Sequence, residues 1–344
     1  MPDTQADSAA PPPPPGEVRA VQPGLLRARM PLPFAPGHVN VWFLEHENGW
    51  MAVDASVSNR AARELWDRVL ASPELGGKPL TGLLVTHFHP DHIGLAGWLC
   101  GRFGVLPHMT RIEWLMARAL WYDSGPDMMA QQVAHYARAG CPAEYLVFVE
   151  GRGALYQRSV GELPRAFHAL RDGRPVRVGG AEWAVVTGAG HAPDMACLFS
   201  AERGVLVSAD QVLPRISPYI GLHPGEPEAD PLGDFLQSNE RFRALPEDVL
   251  VLPSHGEPFH GLHRRLDALA AHHADRLDML ADACRREPLT AFEAAGVLFP
   301  RATQEMAQIG FTVGETLAHL RRLERQGRLA VVPGPGEAVR FRAA

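Results

Sequence analysis

Three imidazoles and one carboxylate fall within six residues in Thr86-His87-Phe88-His89-Pro90-Asp91-His92, and this stretch restricts the fold more than any other. The apolar run Leu80-Thr81-Gly82-Leu83-Leu84-Val85 before it reads as a buried strand. Alternate residues of a strand share a face, so His87 and His89 leave its end pointing the same way. Pro90 has no N–H to lose in the first turn of a helix, and Ile93 to Leu99 continues at helical spacing. Asp91 and His92 then face the space that the two earlier histidines enclose. Neutral imidazole and carboxylate suit zinc, manganese or iron. One ion cannot use all four groups comfortably. The His-x-His pair can clasp one ion and Asp91-His92 a second, an arrangement that activates water. A chance surface cluster is the competing explanation in a chain with 16 histidines.

Other strand ends weigh against chance. Trp183 to Thr187 runs into Gly188-Ala189-Gly190-His191, Val205 to Ala209 into Asp210, and Val249 to Ser254 into His255-Gly256. Upstream, His38 to Leu44 and Trp50 to Asp54 read as two strands joined by Glu47-Asn48-Gly49, and Asn59 to Ala71 as an amphipathic helix. Asp54 could be a helix cap. One strand away from the histidines, it could instead orient their imidazoles.

With 344 residues, 46% hydrophobic and 21% charged, the chain can bury a large core in one large or two unequal domains. A formal charge of −6 gives no general attraction to nucleic acid or to anionic membrane. Cys100, Cys141, Cys197 and Cys284 form no C-x-x-C pair, so buried thiols are expected and not a thiolate site or a disulfide framework. No targeting pattern or long apolar run is present, so a cytoplasmic location without membrane attachment is the expectation. Residues 1–17, with five consecutive prolines, are expected to be a disordered tail.

Between about residues 110 and 172 the character becomes helical, with helices expected over Arg111 to Trp121, Met128 to Ala139 and Leu163 to Leu170. Trp114, Met116, Trp121, Tyr122, Met128, Met129 and Tyr136 make this insertion rich in large apolar side chains. They suit a packing core or a wall for an apolar acyl group. Trp121 and Tyr122 are candidate substrate contacts, as are Tyr219 and His223 in the Pro- and Gly-containing loop from Gln211 to Pro231. Asp234 to Leu245 reads as a helix. Residues 263–285 read as a connecting helix, with His272 and His273 expected in solvent.

From 286 to 344, helices over Pro288 to Phe299 and Val313 to Gln326 precede a hairpin, a winged-helix pattern that in other settings reads DNA. Eight Arg and six Glu from Arg286 onward give only a net +2, which favours a packing or dimerisation module, compatible with a homodimer, over nucleic-acid binding.

With these positions placed, residues 18–262 resemble the metallo-beta-lactamase superfamily, and within it the glyoxalase II and ribonuclease Z-like hydrolases. The C-terminal part is similar to the winged helix of a beta-lactamase-like subgroup. The resemblance implies an α/β fold, a four-layer αββα sandwich, with a helical insertion and a small winged-helix domain. It implies two divalent metal ions, zinc first, with iron or manganese as alternatives. His87, His89 and His191 would hold one, Asp91, His92 and His255 the other, with Asp210 bridging and Asp54 orienting. Two departures from the family pattern are Ala192-Pro193-Asp194 after His191, where Thr-Pro-Gly is usual, and Ala209 where glycine commonly precedes the bridging Asp. The implied chemistry is attack by a bridging hydroxide, which Asp91 helps to orient, on a small-molecule substrate. The expected substrate is a thioester, ester or lactone with an apolar acyl part, and the alternative is an endoribonuclease or phosphodiesterase. A regulator with a vestigial metal site is a third possibility.

Overall fold

A computed structural model describes residues 12–344. One seven-stranded sheet contains β1 (Val18–Gln22), β2 (Leu25–Pro31), β3 (His38–His46), β4 (Gly49–Val53), β5 (Leu80–Leu84), β6 (Pro107–Thr110) and β7 (His168–Leu170), in that order. Strands β1 to β4 pair antiparallel and β4 to β7 parallel. The change follows the connections: short turns join the antiparallel strands, whereas helical crossovers, beginning with α1 (Arg60–Leu70), join the parallel ones. The second sheet, in the order β12-β11-β10-β9-β8, uses β8 (Pro175–Val178), β9 (Ala181–Gly188), β10 (Met195–Ser200), β11 (Val205–Ala209) and β12 (Leu250–Pro253). Only β11 and β12 pair parallel in it.

The period of two in β3 shows how the layers stack. Trp42 and Leu44 enter a core between the sheets with Met51, Val53, Trp183, Val185, Leu198 and Val207. Val41 and Phe43 face the other way, and the Phe43 ring meets Trp66 of α1 edge-on at 5.9 Å. Both faces are covered, which is why these strands read as nearly unbroken apolar runs. The result is the expected four-layer αββα sandwich.

The helix expected from Pro90 is broken into α2 (Pro90–Ile93) and α3 (Ala96–Phe103). Gly94 stands at the break because the Ser56 carbonyl, the Ser58 amide and the Pro90 carbonyl leave no room for a Cβ. Between β6 and β7 lie α4 (Arg111–Tyr122), α5 (Pro126–Arg138), α6 (Ala143–Arg152) and α7 (Leu155–Ser159). The expected helix over Leu163 to Leu170 is absent: His168–Leu170 instead adds to the sheet edge in parallel register with β6. Backbone pairing there overrides a local helical pattern. Of the tail expected to be disordered, residues 1–11 lie outside the described residues. Residues 12–17 instead lie against the body, where Pro13 is buried and the Gly16 N–H donates to the Arg29 carbonyl at 3.0 Å.

The remaining elements are α8 (Pro231–Phe242), α9 (Leu262–Arg286), α10 (Ala291–Leu298), α11 (Met306–Arg325) and the hairpin of β13 (Leu329–Pro333) with β14 (Val339–Ala343). A capping box between Thr290 and Glu293 starts α10. Helix α11 begins earlier than its sequence pattern suggests because its first turns pack on other elements, Phe311 against Tyr219. Among the described residues no helix is long and apolar enough to cross a membrane, and all four cysteines are buried and free.

His273 is not solvated but fully buried, and His272 is half-buried. The His319 Nδ1–H donates to the Glu315 carbonyl at 2.8 Å, which leaves His319 Nε2 as acceptor for His273 Nδ1–H at 3.1 Å. His273 Nε2 then accepts from the Ser217 hydroxyl, also at 3.1 Å. Burial above all, then neighbouring imidazoles and the guanidinium groups of Arg276 and Arg265, lowers His273 to about 2; burial and Arg276 lower His319 to about 4. Both are depressed below the unfolded value, so the unfolded chain binds more protons under mild acid. Their stabilisation is full above pH 6.5 and is lost as pH falls. At pH 5 the loss from His319 alone is about 2 kcal/mol. The urea midpoint of chelator-treated protein should fall between pH 7.5 and pH 5, with a flatter slope in His319→Gln; equal slopes would contradict the neutral chain.

Candidate metal centre

The side chains after β5, β9, β11 and β12 converge at one end of the sandwich. His87 Nε2 lies 3.2 Å from His191 Nε2, and His89 Nδ1 lies 2.9 Å from the same nitrogen. Asp91 Oδ2 is 3.5 Å from both His92 Nε2 and His255 Nε2. Asp210 reaches both groups, with Oδ2 at 3.3 Å from His191 Nε2 and from His255 Nε2, and Oδ1 at 3.7 Å from His92 Nε2. Two trios, His87, His89, His191 and Asp91, His92, His255, could each hold an ion, and His87, His92, Asp210 form a third such group between them.

The remote nitrogens determine what the near ones can do. His191 Nδ1 donates to the Tyr219 carbonyl at 2.6 Å and His255 Nδ1 to the His38 carbonyl at 2.6 Å, so each ring turns an Nε2 lone pair toward the centre. His87 Nδ1 meets the Thr86 hydroxyl at 2.9 Å, which directs its Nε2 inward as well. Lone pairs on facing nitrogens repel unless a cation lies between them. Tetrahedral coordination with bonds of about 2.1 Å sets ligand atoms about 3.4 Å apart, close to the separations here. His92 Nε2 and Asp210 Oδ1 are also buried without a hydrogen-bond partner, so the donor set fits metal ions.

Electrostatics agree. Burial, reinforced by neighbouring imidazoles, holds His87 and His89 well below the usual histidine range, so both stay neutral, the form that could bind a cation. Burial opposes charge on Asp91, Asp210 and His92 as well. The His92 and His255 imidazoles nevertheless hold Asp91 at about 2 and Asp210 well below the carboxylate range, while Asp91, Asp54 and Asp210 raise His92 well above its usual value. The cluster therefore buries ionised carboxylates beside imidazole nitrogens, a donor set suited to cations.

Asp54 directly follows β4 in a left-handed conformation, φ 69°, which aims its carboxylate at the cluster. Oδ2 accepts from His92 Nδ1 at 2.8 Å and Oδ1 from the Thr86 amide at 2.8 Å, so it orients the His92 imidazole and is no helix cap. In Asp54→Asn the left-handed backbone is tolerated, but an amide NH₂ must face a donor. Metal affinity should fall about 10- to 100-fold, measured by competition with a chromophoric chelator, and an unchanged affinity would contradict this role. Ala209 is also left-handed, φ 48°, as the chain turns Asp210 inward, and there its Cβ costs about 1–2 kcal/mol. Gly190, φ 98°, lets the loop before His191 pass so close to Phe235 and the Pro231 carbonyl that a Cβ would collide.

Of the four candidate substrate contacts, Tyr219 touches the cluster, through its carbonyl to His191. Its half-buried ring lies 5.3 Å from Phe311, and the exposed His223 ring is 6.3 Å from it. Trp121 and Tyr122 make their contacts elsewhere: the Trp121 indole donates to the Val160 carbonyl at 3.4 Å, and Tyr122, 62% exposed, lies under Arg118. Glu113 and Tyr156, which touch the backbone of the ligand loops, escaped sequence reasoning. A Glu in the first turn of a helix ordinarily signals only a favourable dipole interaction.

Residues 35–255 match the family described as the metallo-beta-lactamase superfamily, and residues 277–344 match the metallo-beta-lactamase-like C-terminal domain. The probable metallo-hydrolase YqjP of Bacillus subtilis (strain 168) is 24% identical over 311 residues, 88% of this chain and 92% of that protein. A linear primary-alkylsulfatase of Pseudomonas sp. is 26% identical over 224 residues, 63% of this chain but only 41% of that protein. Among solved structures, a beta-lactamase domain protein from Burkholderia ambifaria superposes with a TM-score of 0.90 at 38% identity, covering 98% of this chain and 97% of that one. A metallo-beta-lactamase family protein from Thermus thermophilus gives 0.79 at 30% identity, covering 94% of this chain and all of the other (100%).

Proposed function

The chain belongs to the metallo-beta-lactamase superfamily, and from that premise we propose a hydrolase that holds two divalent cations and cleaves a thioester, ester or lactone with an apolar acyl part. The observation that carries the two-cation reading is Asp210, whose carboxylate reaches both histidine trios. His87, His89 and His191 would hold one cation, and Asp91, His92 and His255 the second. When bound, such cations, zinc first among them, polarise the scissile group and lower the pKa of water to about 7.

The chain's own groups do the rest. Asp91, whose Oδ2 stands 3.5 Å from His92 Nε2 and from His255 Nε2, would help to orient the attacking water. Asp54, through His92, and the Tyr219 and His38 carbonyls, through His191 and His255, keep the ligand rings from rotating. Support for an apolar acyl part comes from the half-buried Met129, Val133 and Tyr136 of the insertion, and from the exposed Phe311 against Tyr219. The resemblance to an alkylsulfatase favours a second reading, a sulfate ester with an apolar chain. Nucleic-acid cleavage has less support, since a phosphate backbone is ordinarily engaged by arrays of basic side chains and this chain carries a net −6.

The test is a screen of the zinc-, iron- and manganese-loaded protein against acyl thioesters, lactones, alkyl sulfates, phosphodiesters and single-stranded RNA, with Asp91→Ala as control. Turnover of acyl substrates that the control lacks is expected. Cleavage of RNA with none of any acyl substrate would overturn the proposal.

A further inference from the structure

Four side-chain hydrogen bonds, from the end of β6 and the helices that follow it, hold the backbone of the two loops that carry the first trio. Phe88 separates His87 from His89. Its N–H donates to Glu113 Oε2 at 3.0 Å, and its carbonyl accepts from the Tyr156 hydroxyl at 2.6 Å. Asp194 lies three residues past His191; its N–H donates to Glu113 Oε1 at 2.7 Å, and its carbonyl accepts from the Thr110 hydroxyl at 2.7 Å. Glu113 is fully buried in the first turn of α4, so one carboxyl group spans a loop from each sheet.

We infer that Glu113 and Tyr156 are positioning residues that set the spacing of His87, His89 and His191 and leave the other trio alone. The inference rests on the two-cation reading above. Selectivity follows from where each trio is braced. His92 and His255 are held by Asp54, directly after β4, and by the carbonyl of His38 in β3, neither of which the clamp touches, so the second trio keeps these supports if the clamp is cut. In the first trio the Thr86 hydroxyl and the Tyr219 carbonyl hold His87 and His191, whereas the His89 ring has, among the described residues, no hydrogen bond except that with His191 of the opposite loop, and it follows directly on the clamped Phe88 peptide. Glu113 ties those two loops to each other, and Tyr156 removes the remaining freedom of the Phe88 peptide plane.

The full chain is loaded with Co(II) and with Zn(II) by calorimetric titration, and cobalt absorption in the visible range reports the ligand field of each equivalent. Wild-type protein is expected to take two equivalents. In Tyr156→Phe and Glu113→Gln, one equivalent should weaken by about 10- to 100-fold with an altered cobalt spectrum, while the other keeps its affinity. Tyr156→Phe removes a single hydroxyl and retains the ring, and thermal unfolding of the chelator-treated variants checks that each is folded. Unchanged binding of both equivalents in the folded variants overturns the inference alone, as does equal weakening of both. Failure of the wild-type protein to bind either metal overturns the two-cation reading and the inference with it.

Discussion

Asp210→Ala should lose hydrolytic activity by at least about 10²–10³-fold, the loss found when one preorganised electrostatic group is removed from an active site. The carboxylate is shared: Oδ2 stands 3.3 Å from a nitrogen of each trio, and Oδ1 is buried without another partner. Removing it takes away the carboxylate that reaches both trios and leaves His191, His255 and His92 facing one another without the anion between them. Rates compared at matched metal content, together with elemental analysis, check the outcome. Activity within tenfold of wild type would show that Asp210 is not the shared ligand.

Trp66→Ala should destabilise the protein by about 3–5 kcal/mol, the usual cost of emptying a large aromatic site in a close-packed core. Trp66 is fully buried, stacks edge-on with Phe43, and donates its indole N–H to the Ala55 carbonyl at 2.9 Å. That carbonyl lies between Asp54 and Ser56, two non-glycine residues with left-handed backbones, φ 69° and 64°. The bond therefore fixes the turn that aims Asp54 at His92. Trp66→Phe keeps most of the ring and orphans the carbonyl, so it should cost about 1–3 kcal/mol. Urea denaturation of both variants separates the two contributions, and a Trp66→Phe variant as stable as wild type would mean that packing, and not the indole bond, holds the turn.

The ligand positions were legible because strand ends are. A buried strand shows as an apolar run, and a His or Asp within three residues past its end is carried to the rim of the sheet. His87, His191, Asp210 and His255 all follow this rule. The elements that escaped detection lack it. His168–Leu170 is only three residues long and owes its conformation to β6 beside it. His273 sits among polar neighbours in a helical sequence, yet α11 and the loop at Ser217 cover it. Glu113 looks like any acidic residue in a first helical turn until the folded chain brings Phe88 and Asp194 to its two oxygens. Tyr219 drew notice for its side chain, whereas its carbonyl is what touches a ligand. Burial and backbone contacts across long sequence separations leave no local periodicity to read.

Each trio draws side chains from beyond the strand ends of both sheets: His87 and His89 follow β5 while His191 follows β9, and Asp91 and His92, in α2 after β5, meet His255, which follows β12. Cations held there would act as rivets across the open edge of the molecule, where the inter-sheet core ends. A chelator would then be a mechanical agent as well as an inhibitor, unfastening the seam from its mouth. Metal starvation would shorten the folded chain's lifetime as surely as it silenced its chemistry.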